Sequence, residues 1–243
     1  MSKKISLKQF LMKSGKFARV SDCIDLIING KITLNGKMAT NPNFFFNPKK
    51  TLVKINNEKI KKTQNLYFIM NKPSGYLSQK SSGEKTIYDL LKNLNLSKES
   101  IQSLHVVGRL DKDTEGLLIL TNDGKISNMI MNPKNEITKK YHGILEKKAD
   151  INKIKSLEKG VEIEVDGEKY YTKPCKIKAV GEKEVYISIS EGRKRQIRKM
   201  FEMMGNKVVY LKRVSIGGMQ LGNLKAEEIK QITREEIMEK LEM

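Results

Sequence analysis

No tryptophan occurs in the 243 residues, and cysteine, histidine and proline are scarce, with two, two and five copies. Cys23 and Cys175 are far apart and follow no C-x-x-C spacing, which excludes a disulfide scaffold and a cysteine-based zinc or redox motif. His105 and His142 stand in no metal-ligand cluster and read as structural. The chain has no G-x-x-x-x-G-K-[ST] loop and no G-x-G-x-x-G fingerprint, so the common phosphate cradles are missing. Gly217-Gly218…Gly222 reads as a loop. No apolar run reaches the ~18–20 residues of a membrane span. Met1-Ser2-Lys3-Lys4 is not followed by the apolar core of a secretory signal. Acidic residues are in deficit: 28 Asp+Glu face 47 Lys+Arg, a net +19. A protein of this kind is expected in the reducing cytoplasm. Its charge points to a polyanion, nucleic acid first, although a lysine-rich surface of no special purpose has the same sign.

What is present is unevenly placed. At roughly 100–200 residues per domain, the length fits one large or two smaller domains. Residues 1–62 hold 14 Lys+Arg and 3 Asp+Glu, more than half of the surplus, which suggests a separate binding module. The polar stretch 61–65 is the expected linker. Within the first segment, Leu7, Phe10 and Leu11 recur at helical spacing. Ser21 is placed to cap a second helix, with Asp22 in its first turn and Ile24, Ile27 and Ile28 on its buried face, ending at Asn29-Gly30. Alternation around Asn35-Gly36 predicts a hairpin over 32–38, and Val53 to Ile60 predicts a second strand pair. Phe44-Phe45-Phe46 is either a base-stacking platform or packing material.

The second segment opens on Tyr67-Phe68-Ile69-Met70, an expected buried strand that Asn71-Lys72-Pro73-Ser74-Gly75 breaks. Residues 108–116 then form a polar, carboxylate-rich loop bounded by glycines, running into the apolar strand 117–120. Such a loop suits a catalytic acid, base or nucleophile, and equally a solvated connector. Asp123 is placed to cap a helix carrying Ile126, Met129 and Ile130. Val185 to Ile189 alternates as a strand. Ile197, Met200, Phe201 and Met204 share one helical face, with Arg198 at its margin and Arg195 and Lys199 pointing away. Thr233-x-x-Glu236 has the pattern of a capping box, opening a last helix through Ile237 and Leu241.

Two resemblances emerge from these residues. Leu7…Phe10-Leu11, Arg19…Ser21 and Leu26-Ile27…Gly30-Lys31-Ile32-Thr33-Leu34-Asn35-Gly36 resemble the RNA-binding domain of small-subunit ribosomal protein S-four. By that resemblance Arg19, Lys31 and Lys37 contact phosphate, which positions RNA without reading its sequence; any one of them alone also fits a solvated surface. Gly108-Arg109-Leu110-Asp111-Lys112-Asp113-Thr114-Glu115-Gly116-Leu117 resembles the signature of pseudouridine synthases, and Thr121-Asn122-Asp123-Gly124 resembles the branch that modifies single sites in ribosomal RNA. Asn71 to Gly75, Lys140-Tyr141, Glu191 to Met200 and Leu211 to Gly217 match further family motifs, in family order.

The resemblance implies an enzyme that detaches uracil from its ribose, turns the base and rejoins it through carbon, without cofactor or metal. It assigns the catalytic carboxylate to Asp111, either attacking the anomeric carbon or taking a proton from the sugar. It assigns a supporting cation to Arg198 and stacking on the displaced base to Tyr141. Arg109 helps displace that base or contacts phosphate, and Arg193 and Arg195 contact RNA. Asp113 falls to a supporting or capping role. The implied fold is α+β: a small S-four-type domain over 1–62, then a synthase domain over 66–243 with a mixed, largely antiparallel sheet and flanking helices. The expected partner is ribosomal RNA, large-subunit RNA favoured, free or in a pre-ribosomal particle; no membrane is involved, and the protein is expected to be a monomer. A non-catalytic ribosome-assembly factor would share the composition but would not need Asp111, Tyr141 and Arg198 together. A DNA-binding regulator would need a basic reading helix that neither half supplies.

Overall fold

The structure is a computed structural model and describes residues 4–17, 19–60 and 64–241. The chain forms two compact units. One comprises Met1–Leu66 with Leu91–His105, the other Tyr67–Leu90 with Val106–Met243. Residues 61–63, the centre of the expected linker, lie outside the described residues.

In the first unit a helix spans Leu7–Met12, with the Ser6 hydroxyl accepting from the Gln9 N–H at its start. The second helix is Val20–Ile28. Its N-cap is Arg19 and not the expected Ser21, which lies inside the first turn and donates to the Asp22 carboxylate instead. Its buried face also differs: Cys23 and Ile27 are inside, while Ile28 is exposed. Cys23 and Ile27 are one helical turn apart, and Ile28 is rotated about 100° further round. The hairpin Ile32–Leu34 and Lys37–Met38 turns at Asn35-Gly36, both at positive φ. Val53–Ile55 then pairs with Ile32–Leu34, and Glu58–Lys59 completes the sheet. Of the three phenylalanines, Phe46 is buried edge-on against Phe10 at 5.3 Å, while Phe44 and Phe45 are exposed.

The second unit is built on one mixed sheet. Its main strands are β1 (Tyr67–Lys72), β2 (Glu115–Thr121), β3 (Lys139–Leu145), β4 (Lys176–Ala179), β5 (Glu184–Ile189), β6 (Val208–Ile216) and β7 (Ile229–Gln231), in the order β4-β5-β3-β6-β2-β1-β7. Each neighbouring pair along this order is antiparallel except β6 with β2, which is parallel. The sheet is therefore two antiparallel halves joined through one short parallel seam. β1 does not break at Asn71: it continues through Lys72, because Asn71 and Lys72 pair with Leu117 and Gly116 and are themselves buried. β2 is apolar and buried on both faces, as befits a central strand.

Helices α1 (Gly124–Met131) and α3 (Arg234–Leu241) supply Ile126, Ile130, Ile237 and Leu241 to a core shared with Leu117, Ile119 and Ile216. Asp123 caps α1 by accepting from Lys125 N–H at 3.0 Å and also accepts from the Tyr67 hydroxyl at 2.9 Å. The expected capping box opens α3: Glu236 accepts from Thr233 N–H, and Thr233 Oγ1 from Glu236 N–H at 3.1 Å. Helix α2 (Gln196–Met203) buries Ile197, Met200 and Phe201. Among the described residues no helix is long and apolar enough to cross a membrane.

Candidate active site

The carboxylate-rich loop between Gly108 and Glu115 is held by its backbone, at alternate residues. The Ser78 hydroxyl donates to Leu110 O at 2.6 Å and accepts from Leu110 N–H at 3.0 Å. Gly75 N–H donates to Lys112 O at 2.8 Å. The Lys72 ammonium, fully buried, donates to Pro73 O, Lys112 O and Thr114 O at 2.9, 3.2 and 2.8 Å. Burial pulls this ammonium down to about 8, against the upward pull of Asp113, Glu115 and Asp111. Arg213, also fully buried, donates from Nε to Leu117 O and from Nη2 to Gly108 O, each at 2.8 Å. These bonds to its carbonyls hold the backbone of the loop in place beside the strands.

A cavity of about 720 Å³ opens beside the loop, and Asp111, Tyr141, Arg109, Arg193 and Arg195 all line it. These residues come from sequence stretches up to 86 positions apart. Tyr141 is brought there by β3, directly across from Arg213 on β6. On the far wall Glu191 accepts from the Tyr170 hydroxyl, from Lys173 N–H at 2.8 Å and from Gln196 Nε2 at 2.7 Å. Arg193 lies over the Tyr170 ring at 4.3 Å. The carboxylates on the cavity wall are Asp111 and Glu191, among many Lys and Arg. Glu191 is engaged. The Asp111 carboxylate, among the described residues, makes no hydrogen bond or ion pair. An uncommitted carboxylate in a cationic cavity is chemically available as nucleophile, base or electrostatic partner.

Arg198 is not on the cavity wall. It is deeply buried, donates to Val208 O, and pairs with Asp113 at 3.1 Å. Arg195 reaches the same carboxylate at 3.3 Å. The structure thus joins Arg198 to Asp113, two residues beyond Asp111, and among the described residues no ion pair connects Arg198 to Asp111. Arg19, Lys31 and Lys37 lie in the first unit and are exposed. Arg19 Nε approaches Asp22 at 3.6 Å. Sequence reasoning gives no role to Lys72, Ser78 or Arg213. A signal for Lys72 is present, since a lysine ending an apolar strand is a candidate for burial. Ser78 lies in a polar stretch with no pattern to mark it. Among the described residues no group of three His, Cys, Asp or Glu side chains is placed to hold a metal ion.

Comparison with known proteins gives the family of the chain. The family model described as RNA pseudouridylate synthase matches residues 66–203. A Bacillus subtilis protein named ribosomal large subunit pseudouridine synthase B is 34% identical over 88% of this chain and 86% of its own length. The Escherichia coli ribosomal small subunit pseudouridine synthase A is 33% identical over 87% of this chain and 89% of its own. A crystal structure of a pseudouridylate synthase superposes with a TM-score of 0.68 at 31% identity, covering 98% of this chain and 99% of that one. The match takes in the loop that carries Asp111, the strand that carries Tyr141 and the helix that carries Arg198, and on these grounds the chain belongs to the RNA pseudouridylate synthase family.

Proposed function

We propose that this protein converts a specific uridine of ribosomal RNA to pseudouridine in the cavity beside the 108–115 loop. The observation that carries the proposal is the Asp111 carboxylate, uncommitted to any protein partner among the described residues and facing a cavity lined by cations and Tyr141. In this reading Asp111 acts at the ribose, on C1′ or on the C2′ proton, and Tyr141 stacks on the extruded base. Arg109, Arg193 and Arg195 receive the surrounding phosphates. Arg198 acts as a positioning residue: by holding Asp113 it sets the turn on which Asp111 sits.

The relatives' names divide between the two ribosomal subunits. Large-subunit RNA is the first target in this reading, free or in an assembling particle, met by a monomer in the cytoplasm. Small-subunit RNA is the second reading, favoured by the Escherichia coli relative. Mapping pseudouridine in both ribosomal RNAs from cells with and without the gene tests this directly. One site should disappear, and its subunit decides between the readings; an unchanged map of both RNAs would overturn the ribosomal assignment.

The first unit is proposed as an S-four-type RNA-binding domain. Replacing Arg19, Lys31 and Lys37 together by alanine should then flatten the dependence of log affinity on log salt. Each phosphate that is no longer neutralised lowers the slope by about 0.7–0.9, so the triple variant should show a slope smaller by about 2 or more. Equal slopes in a salt titration of the wild type and the variant on one RNA would remove these three side chains from the interface.

A further inference from the structure

The cavity wall carries a further buried cation on the strand of Tyr141. Lys139 begins β3, and its side chain points to the same face as Tyr141 two residues on, both being buried. Lys139 is more than nine-tenths buried, lines the cavity and, among the described residues, makes one hydrogen bond, to Ile137 O at 3.1 Å. An ammonium has three protons to donate. Among the described residues no carboxylate pairs with it. Its charged neighbour is instead another cation, Arg213 of β6, which commits Nε and Nη2 to the carbonyls of Leu117 and Gly108. The remaining charged groups on the cavity wall include Asp111, Glu191, Lys173 and Arg193, and Glu191 is occupied by Tyr170, Lys173 and Gln196.

Burying an unpaired ammonium next to a guanidinium costs stability. The packing offers nothing in return: the aliphatic stem could be supplied by leucine or methionine without the charge. A site that keeps such a cation is arranged for an anion that arrives with the substrate. Burial first, and Arg213 second, pull the Lys139 ammonium down to about 8, so it is still charged at neutral pH and is a better proton donor than a surface lysine.

We propose that Lys139 is a catalytic residue that hydrogen-bonds a carbonyl oxygen of the uracil ring and stabilises the negative charge that gathers there when the base leaves the sugar. The inference rests on the proposed entry of the target uridine into this cavity with its base against Tyr141. When the C1′–N1 bond breaks, its electron pair goes to the base and spreads over N1, O2 and O4. Asp111 balances the sugar, either by forming a bond to C1′ or by taking the C2′ proton. When C5 then bonds C1′ with that electron pair, the Asp111–C1′ bond breaks, or Asp111 returns its proton to C2′; C5 loses its proton and N1 gains one, so the product is an isomer. Lys139 donates a hydrogen bond throughout and ends in the state in which it began.

The test uses the full chain and the transcript that contains the site the wild-type enzyme modifies, whichever RNA that is, made once with uridine and once with 5-fluorouridine. Fluorine makes the departing base a weaker base, which therefore needs less help. Under single-turnover conditions at saturating RNA, Lys139→Met should consume uridine about 100-fold more slowly than wild type, the usual cost of removing one such donor. On 5-fluorouridine the deficit should shrink to about tenfold or less, as Brønsted behaviour requires. Lys139→Arg should recover most of the rate, and RNA affinity and its salt slope should be those of the wild type. Thermal melting of Lys139→Met should be equal to or above wild type, which shows that the variant folds.

Equal deficits on the two transcripts, or a deficit confined to RNA affinity with a lower salt slope, would place Lys139 on a phosphate and overturn the proposal. A Tyr141→Ala variant separates the role of Lys139 from the placement of the base. If Tyr141→Ala is slow and Lys139→Met is as fast as wild type, only the role of Lys139 falls. If Tyr141→Ala is itself unimpaired, the base does not lie against this wall, and the reading on which the inference rests falls with it.

Discussion

Asp111→Asn is expected to reduce pseudouridine formation to the enzyme-free level while leaving RNA affinity and melting temperature near wild-type values. Amide and carboxylate are nearly the same size. Because the Asp111 carboxylate has no partner among the described residues, the folded state loses no bond when it is replaced. The reaction, however, loses its nucleophile or base, and removing such a group costs about 10⁴-fold or more. Asp113→Asn is the informative contrast. Asp113 neutralises Arg198 and Arg195, so weakening it leaves Arg198 buried with a diminished counter-charge. Among the described residues, the Nε atom of Arg198 is already buried without a partner. Asp113→Asn should therefore lower the melting temperature as well as the rate. Single-turnover assays and thermal melts of the two variants side by side check both halves. Turnover by Asp111→Asn above background, or an unstable Asp111→Asn with a stable Asp113→Asn, would mean that the two carboxylates have been given each other's roles.

The difference between these two acids shows what the sequence could and could not carry. The loop, its glycine bounds and the strand after it are local features, and each was legible from residue order. So were the Asp123 cap, the Asn35-Gly36 hairpin and the Thr233 to Glu236 box, because a cap or a tight turn depends on four or five consecutive residues. Arg198 falls at the margin of a helical face by its 100° spacing, and it is indeed next to the buried stripe. Which carboxylate it meets is not a matter of spacing. That is set by how α2 rests beside the loop, 85 residues away in sequence, and the answer is Asp113.

The same limit explains the residues that went unassigned. Lys72, Lys139 and Arg213 are cations in strands, and composition counts them with the other Lys and Arg as surface charge. All three are buried, because each stands where the pleat turns it inward and a backbone carbonyl receives it. Alternation predicts which face a strand residue takes, but not that a lysine is kept on the inner face for its charge. The Ser21 cap failed for a local reason: an extended Arg19 lets the helix begin two residues earlier, and Ser21 directs its hydroxyl to Asp22. Residues 91–105, grouped with the first unit, carry two lysines and one glutamate, so they show no charge surplus like that of residues 1–62 to mark them.

A second large effect is expected at the seam between the halves of the sheet. Gly116 pairs with Arg213 in the parallel contact of β2 with β6 and has φ +106°. A Cβ there would lie 2.2 Å from Arg213 O and 2.7 Å from Arg213 N, both backbone atoms that cannot rotate away. Gly116→Ala must therefore push the two strands apart. The movement reaches the active site on both sides, since the Arg213 side chain holds Gly108 O and Leu117 O and its backbone neighbours Tyr141. The expected cost is about 3–5 kcal/mol, the range for strain at a special backbone angle combined with disrupted packing. At about 2–4 °C per kcal/mol for a chain of this size, melting should fall by roughly 10 °C. Gly167→Ala is the control. Gly167 has φ +87° but, among the described residues, nothing within 4 Å of its would-be Cβ, so the backbone conformation alone costs it about 1–2 kcal/mol. The difference between the two melts isolates the clash, and activity should fall only with Gly116→Ala. Equal losses at both positions would show that the seam can open to take a methyl group, and that the two halves of the sheet are not locked together at Gly116.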